Sequence, residues 1–339
     1  MRINELNITL PKKNDEEFLK INFDSLFSYD FASKQVYEFD IMDLETIIDE
    51  ENYQSVLFDI TRSIDNKQKI ITINKSMAEP IFLIHKLKEN ETIFSNSLKI
   101  KVAKDIKASL VEVFINSCAN SFYSVNRKIE LEENASLEYA KIQDISASNS
   151  MIFSLATKQK DISNLEISNF EYGNGFIVNS FENIIHSEFA NYELNGLVKL
   201  QNEATTSNLI KTIHNEKSSI SNINYKHTLK DSSKAVFKAK SIVNETALFS
   251  KAFQNCNTIL LSDDATIFAQ PHLEIYIDEL EASHGTTTGS LDKEQLLYLQ
   301  SRGISKDKAY EMLLSAFENK IVDNIKNTII KEFVQNYKR

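Results

Sequence analysis

From about residue 66 to 282 the chain alternates apolar and polar residues with a period of two. Leu98, Ile100 and Val102 alternate with polar neighbours; so do Leu137 and Tyr139, Leu165 and Ile167, and Tyr192, Leu194, Val198 and Leu200. Phe237, Ala239 and Val243 continue the series, and Leu273, Ile275 and Ile277 close it. Such alternation sets one face of each strand in a core and the other in water. Before this zone, residues 1–65 contain short apolar clusters, DEEFLKINFDSLF and IMDLETIIDEENYQSVLFDI, which predict a small, mostly helical leading region. After it the period becomes helical. Asp292 can cap a first helix, with Gln295 three positions on and Leu296, Leu297 and Leu299 as its apolar face, and Gly303 closes it. Ser305 opens a second helix, whose apolar positions from Ala309 to Phe333 recur three or four apart; unbroken, it would span roughly 45 Å. Its apolar face can pack along its own domain or dock a partner.

Turn chemistry narrows the fold of the middle zone. Over more than 200 residues it contains only Gly173, Gly175, Gly196, Pro80 and Pro271, so Asn, Ser, Asp and Lys must make most corners. Hairpin-built sandwiches usually mark tight turns with glycine. A solenoid of stacked coils suits this composition, although no strict sequence period is evident, and a β-sandwich fits the alternation as well.

Composition adds exclusions. The formal charge of −10 supplies no broad basic surface for a nucleic-acid backbone. The opening MRINELNITLPKKNDEEF has no apolar core of secretory-signal length, and no segment approaches 18 consecutive apolar residues, so we expect a cytoplasmic protein without a membrane partner. Two distant cysteines, Cys118 and Cys256, imply neither a disulfide framework nor a C-x-x-C motif.

Candidate chemistry is sparse. HGTTTGS lies between a predicted strand and a helix, but three residues separate Gly285 from Gly289 and Ser290 follows, so it is no Walker loop. Among six histidines none lies three or four residues from another, which removes a helical metal pair. His85, His186, His214, His227 and His272 read as satisfied surface or core residues. His284 differs: Ser283 and Gly285 bracket it at a predicted turn, where a side chain is held yet exposed. Asp278, Glu279 and Glu281 read as a solvated edge, and no nucleophile elbow occurs. Some β-solenoids cleave polysaccharides, so a carbohydrate-active enzyme is one alternative reading.

The stretch from AVFKAKSIVNETALF through LLSDDA, P-x-LEIY, SHG-x-T-x-G-x-LD and YL-x-SRGI into KAYEMLLSAF resembles the C-terminal signature of the SufB/SufD family of iron–sulfur cluster assembly scaffolds, nearer its SufD branch. NRKIELEENASLEYAKIQD is a weaker echo of the family, and DEEFLKINFDSLF is similar to its E-x-W-x-x-T entry, with Phe18 in the Trp place. The resemblance implies a right-handed parallel β-helix over residues 66–285, a helical region over 1–65 and C-terminal helices over 286–339. It implies a non-catalytic scaffold that pairs with a SufB-like paralogue through the end of the β-helix, or with itself as a SufB-like homodimer. A SufC ATPase would dock on Arg302, Gly303, Ile304, Ala309, Leu313, Leu314 and Phe317. His284, with Ser283 and Gly285, would lie at the junction as a ligand or sulfur-handling group for a transient Fe–S cluster shared with SufB. Cys256 is a lesser metal candidate, since it falls one place beyond the SufB thiol position and such an offset turns a strand side chain to the other face. Ala282 stands where SufD proteins often have Cys. A flavin on the assembled complex is compatible with the sequence.

Overall fold

The computed structural model describes residues 1–36 and 44–337; Ile41 and Met42, which open the second apolar cluster, lie outside them. Two parallel sheets form the walls of a β-solenoid. The first contains β3 (Lys67–Ile73), β5 (Thr92–Val102), β7 (Phe122–Leu131), β9 (Ser150–Gln159), β11 (Phe176–Ile185), β13 (Thr205–His214), β15 (Lys234–Val243) and β17 (Thr266–Ile275). The second contains β4 (Ile81–Leu87), β6 (Lys107–Asn116), β8 (Ser136–Ile145), β10 (Asn164–Gly173), β12 (Asn191–Leu200), β14 (Ile220–Leu229), β16 (Lys251–Leu260) and β18 (Glu281–Gly289). Each coil contributes one strand to each wall. Partners on neighbouring coils lie 26 residues apart at Ser150 and Phe176 but 32 apart at Lys234 and Thr266. A repeat that drifts this far leaves no fixed period in the sequence.

The corners explain how the solenoid turns with so little glycine. After successive strands of the first wall, Asp105, Asn134, Ile162, Phe189, Ser218 and Phe249 each adopt a left-handed conformation, with φ between 56° and 63°. Amides at these corners bond the next coil, among them Asn134 to the Asp161 carbonyl at 3.0 Å, Ile162 to Glu188 at 3.0 Å and Ser218 to Leu248 at 2.8 Å. Asn, Asp and Ser tolerate this region well; Ile162, Phe189 and Phe249 do so at a cost of about 1–2 kcal/mol each. Their side chains are exposed.

Inside the walls lies one continuous core, from Ile71 and Leu83 to Phe237 and Ala265. Many strands are also buried on the outer face, contrary to the simple alternation of core and water, because both walls are covered. Ile3, Phe18, Phe23, Leu57 and Ile60 of the N-terminal region pack on Ile93, Phe122, Ile152, Val178 and Leu209 outside the first wall. Phe18 meets Phe23 edge to face at 5.9 Å. Among the described residues this layer contains only short helices, including α1 (Asp24–Ser28) and α2 (Leu57–Ile64), and it is woven into the wall by two strands that the sequence pattern does not announce. β1 (Ser33–Val36) pairs in parallel with β5, and β2 (Glu45–Ile48) pairs antiparallel with β3.

Outside the second wall lie the C-terminal helices α3 (Lys293–Ser301), α4 (Lys306–Val322) and α5 (Thr328–Tyr337). The long helix expected from residue 305 is broken in two. At the break the amides of Lys326 and Asn327 donate to the Glu138 carboxylate of β8 at 2.7 and 2.9 Å, and the Asn327 side chain accepts from the amides of Ile329 and Ile330. Ile321, Val322, Ile325, Ile330 and Val334 then cover Val111, Ala140, Ile142 and Phe170. Burying each such side chain contributes about 1.5–3 kcal/mol. At the predicted boundaries, the Asp292 carboxylate accepts from the Glu294 and Gln295 amides, and Gly303 ends α3 at φ 84°.

Gly196 has a specific role within the core. It pairs in register with Tyr225, whose ring fills the space a Cβ at residue 196 would occupy. Tyr225 OH thereby accepts from Asn169 Nδ2 at 3.1 Å inside the solenoid. Gly196→Ala should therefore destabilise the protein by about 1–3 kcal/mol through overpacking. Chemical denaturation checks this; unchanged stability would show that the ring can withdraw freely.

Candidate functional site

The solenoid ends at β17 and β18, the last strands of their walls, each hydrogen-bonded on one side only among the described residues. His284 lies in the middle of β18, not at a turn as its Ser-His-Gly context suggested. It pairs in register with Gln254 of β16, and in-register residues of parallel strands face the same way. Gln254 is buried and points into the solenoid, where its Nε2 donates to Ser241 Oγ at 2.7 Å and to the His272 carbonyl at 3.2 Å. His284 thus stands over the open end of the interior, and it is exposed because no further coil covers it. Ala282, Thr286 and Thr288 share its face, above Ala252, Cys256 and Thr258. Across the mouth, Ala269, Pro271 and Leu273 of β17 are half-buried in the columns of Phe237, Ala239 and Ser241. The mouth therefore has an apolar side on β17 and, on β18, an imidazole with two threonines and Ala282. Ser283 and Gly285 face outward with the opposite parity, in line with Phe253 and Asn255. Asp278, Glu279 and Glu281 are exposed, as a solvated edge requires.

Cys256 points inward beneath Thr286, while Asn255, one place earlier, is exposed. Its Sγ lies 3.6 Å from His227 Nδ1. Burial pushes this thiol up to about 12, so it stays protonated at neutral pH, whereas metal ligation requires the thiolate. The parity change anticipated in the sequence is present, and its effect is to enclose the sulfur. Cys256 thus packs the interior beside His227 and is not presented at the mouth.

Below the mouth the interior contains polar groups that the alternation pattern conceals. Glu112, Lys141, Asn169, Gly196, Tyr225 and Cys256 form one in-register column along the second wall. At its far end Glu112 is completely buried. Arg127 Nη2 donates to its Oε1 at 2.6 Å, Tyr139 OH donates to Oε2 at 2.5 Å, and His85 Nε2 lies 2.6 Å from Oε1. Burial opposes ionisation here, but the Arg127 guanidinium and the His85 contact hold the Glu112 carboxyl well below its usual range. Removing one member of such a buried pair leaves an uncompensated charge, at a cost of about 3–5 kcal/mol. Further along, Lys141 Nζ donates to Asn179 Oδ1 at 2.8 Å, Asn179 Nδ2 to Asn208 Oδ1 at 3.1 Å, and Asn169 Nδ2 to Glu171 Oε1 at 2.6 Å. The parity of Glu112 in SLVEVFIN and of Lys141 in YAKIQ would have revealed this column, had the coil register been known.

At the other candidate surface, α3 has no buried residue, and its Leu297 and Tyr298 are 64% and 58% exposed. Arg302 and Gly303 are exposed, and Ile304, Leu313, Leu314 and Phe317 are half-buried. Ala309 is fully buried within the chain, so it supports this surface from beneath. Phe317 lies under the Lys226 ammonium at 3.9 Å, and Glu318 accepts from Lys199 Nζ at 2.7 Å. α4 is thereby anchored to β12 and β14.

The family model described as SUF system FeS cluster assembly, SufBD core domain, matches residues 84–317. The chain belongs to the SufBD family. Among its relatives, the iron-sulfur cluster assembly protein SufD of Escherichia coli is 23% identical over 88% of this chain and 72% of its own length. SufD of Bacillus subtilis is 23% identical over 74% of the chain and 58% of its own. ABCI7, a chloroplastic protein of Arabidopsis thaliana, is 27% identical over 67% of the chain, which spans about half of that protein (49%). Within the SufBD family this chain is most like SufD, and it is an iron–sulfur cluster assembly protein. No helix among the described residues is long and apolar enough to cross a membrane.

Two other interior histidines make stability depend on pH. Burial lowers His214 to about 4 and His227 to about 3. Because these folded values lie below the unfolded value of about 6.5, the unfolded chain takes up protons first as pH falls. Their contribution is complete above about 6.5 and diminishes down to the folded values. A His214→Gln, His227→Gln variant should therefore show a shallower fall in unfolding free energy between about pH 6.5 and 4.5 than the wild type. Urea titrations across that range measure the slope; identical slopes would contradict the burial argument.

Proposed function

We propose that this chain is a SufD-like scaffold subunit that closes its open mouth against a SufB-like paralogue and docks a SufC-type ATPase on α3 and the start of α4. The supporting observation is the mouth itself: two strand edges unpaired among the described residues and an apolar β17 side that excludes water only when another surface covers it, with His284 as the one imidazole above the interior. An unpaired edge is a ready template for another chain. A partner thiolate facing His284 would create a mixed nitrogen and sulfur site that neither chain holds alone, suited to an iron–sulfur cluster as the assembly's product.

The ATPase contact rests on Leu297 and Tyr298, two large exposed side chains on a helix with no fully buried residue. Nucleotide-driven movement of the ATPase would be felt by α4, and α4 is tied to β12 and β14 through Glu318 and Phe317. The wall that ends in β18 would then tilt, opening the junction at His284. Such coupling requires contacts that differ between nucleotide states at both ends.

Co-expressed with SufB-like and SufC-like subunits, the chain should elute in one complex on size exclusion. Elution alone would contradict the pairing, and elution of the isolated chain as a dimer would favour the homodimeric reading. A Leu297→Glu, Tyr298→Glu variant should lose the ATPase and keep the paralogue. His284→Ala should leave the complex intact and abolish cluster maturation in cells, and undiminished maturation would remove the imidazole from the mechanism.

A further inference from the structure

A cavity of about 230 Å3 lies between the N-terminal layer and the outer face of the first wall, away from the open mouth. Its floor is an in-register column in which Glu182 of β11 is followed by Lys211 of β13, Lys240 of β15 and His272 of β17. Lys238 adds another ammonium from the adjoining column. Neighbouring strands lie about 4.8 Å apart, so successive basic side chains in one column repel unless negative charge stands among them.

The same column provides an internal comparison. Nearer its start Lys99 and Lys128 are also neighbours in register, and there carboxylates answer both. Glu51 of the N-terminal layer pairs with both ammonium groups, 3.6 Å from Lys99, and Glu130 lies at 3.4 and 3.0 Å from the two. At the cavity the pattern is incomplete. Glu274 pairs with Lys240 at 2.5 Å and lies 3.4 Å from His272, but Glu182 is committed to the Gln54 and Ser55 amides and Glu17 to the Ser55 hydroxyl. Lys238 donates to the backbone carbonyls of Glu16 and Glu17, and Lys211 makes no salt bridge within 4 Å among the described residues, its charge acting on Glu17 and Glu182 only at longer range. Burial also pushes the Glu17 and Glu182 carboxyls up, towards their neutral forms.

We infer that this cavity binds a small phosphate-bearing anion, with Lys211, Lys238 and Lys240 as its charge partners and the side chains of Gln54 and Gln270 on its lining available to hydrogen-bond the remaining oxygens. Lysine serves phosphate as a mobile point charge, and three of them line one half-open cavity. The size suits inorganic pyrophosphate or a small phosphate monoester. Bound anion would supply the negative charge that Glu51 supplies at the other end of the column.

Isothermal titration of the purified full chain with sodium pyrophosphate, at constant ionic strength and with phosphate and sulfate in parallel, tests this. Saturable pyrophosphate binding is expected, weaker for phosphate and weaker again for sulfate. Lys211→Gln and, separately, Lys240→Gln should each weaken it by about tenfold, the effect of one lost charge-assisted contact. Lys306→Gln on α4 should not. Thermal unfolding establishes that each variant is folded, and if Lys211→Gln is not, Lys240→Gln decides. Absence of saturable binding at millimolar pyrophosphate, equal affinity in the wild type and the folded variants, or sulfate binding as tightly as pyrophosphate would overturn the assignment.

Discussion

In-register hydrogen bonding between one coil and the next is the constraint on which the rest of this molecule depends. It lines up positions into columns, so a polar residue such as Arg127 is set between Leu98 and Leu155 and must find its partner across the interior, and the outer faces become ordered surfaces for other layers to cover. It also has a geometric consequence that no side chain can cancel. A stack of coils must end, and its last strands, β17 and β18, keep one row of backbone groups without a strand partner.

The interior is costly for a β-solenoid. Glu112, Arg127, Lys141 and Glu171 are each almost completely buried, and the fold tolerates them because hydrogen bonds link them along and between the walls. Such networks stabilise only when their members remain satisfied. That makes the coil register itself part of the electrostatics: a slip of one residue would turn Glu112 outward and leave Arg127 buried without its partner. The close seating of Tyr225 over Gly196 ties the same network to packing.

Much of the architecture was legible in the sequence. Period-two alternation marked the strands, and the caps at Asp292 and Gly303 placed the first C-terminal helix; the shortage of glycine pointed to corners made by Asn, Ser, Asp and Lys, of which Asn134, Asp105 and Ser218 are examples, whereas Ile162, Phe189 and Phe249 were not anticipated. Other features were hidden for physical reasons. The coil length drifts, so the repeat does not show as a period. β1 and β2 are only four residues each and take their form from the strands they join. His284 looked like a corner residue because Ser and Gly flank it, yet those neighbours have outward parity in a terminal strand. The break between α4 and α5 depends on Glu138, almost 190 residues away in the chain. The same holds for the cavity on the first wall: Lys211, Lys240 and His272 are unremarkable until the register stacks them.

On the reading proposed above, a SufB-like partner closes the unfinished surface of the terminal coil. Hydrogen–deuterium exchange of backbone amides, with and without that partner, distinguishes a closed end from an open one. Amides of Thr266–Ile275 and Glu281–Gly289 should become strongly protected in the complex while the outer surface of α3 is unaffected. Protection confined to other surfaces, with the terminal strands exchanging as rapidly as in the isolated chain, would contradict it.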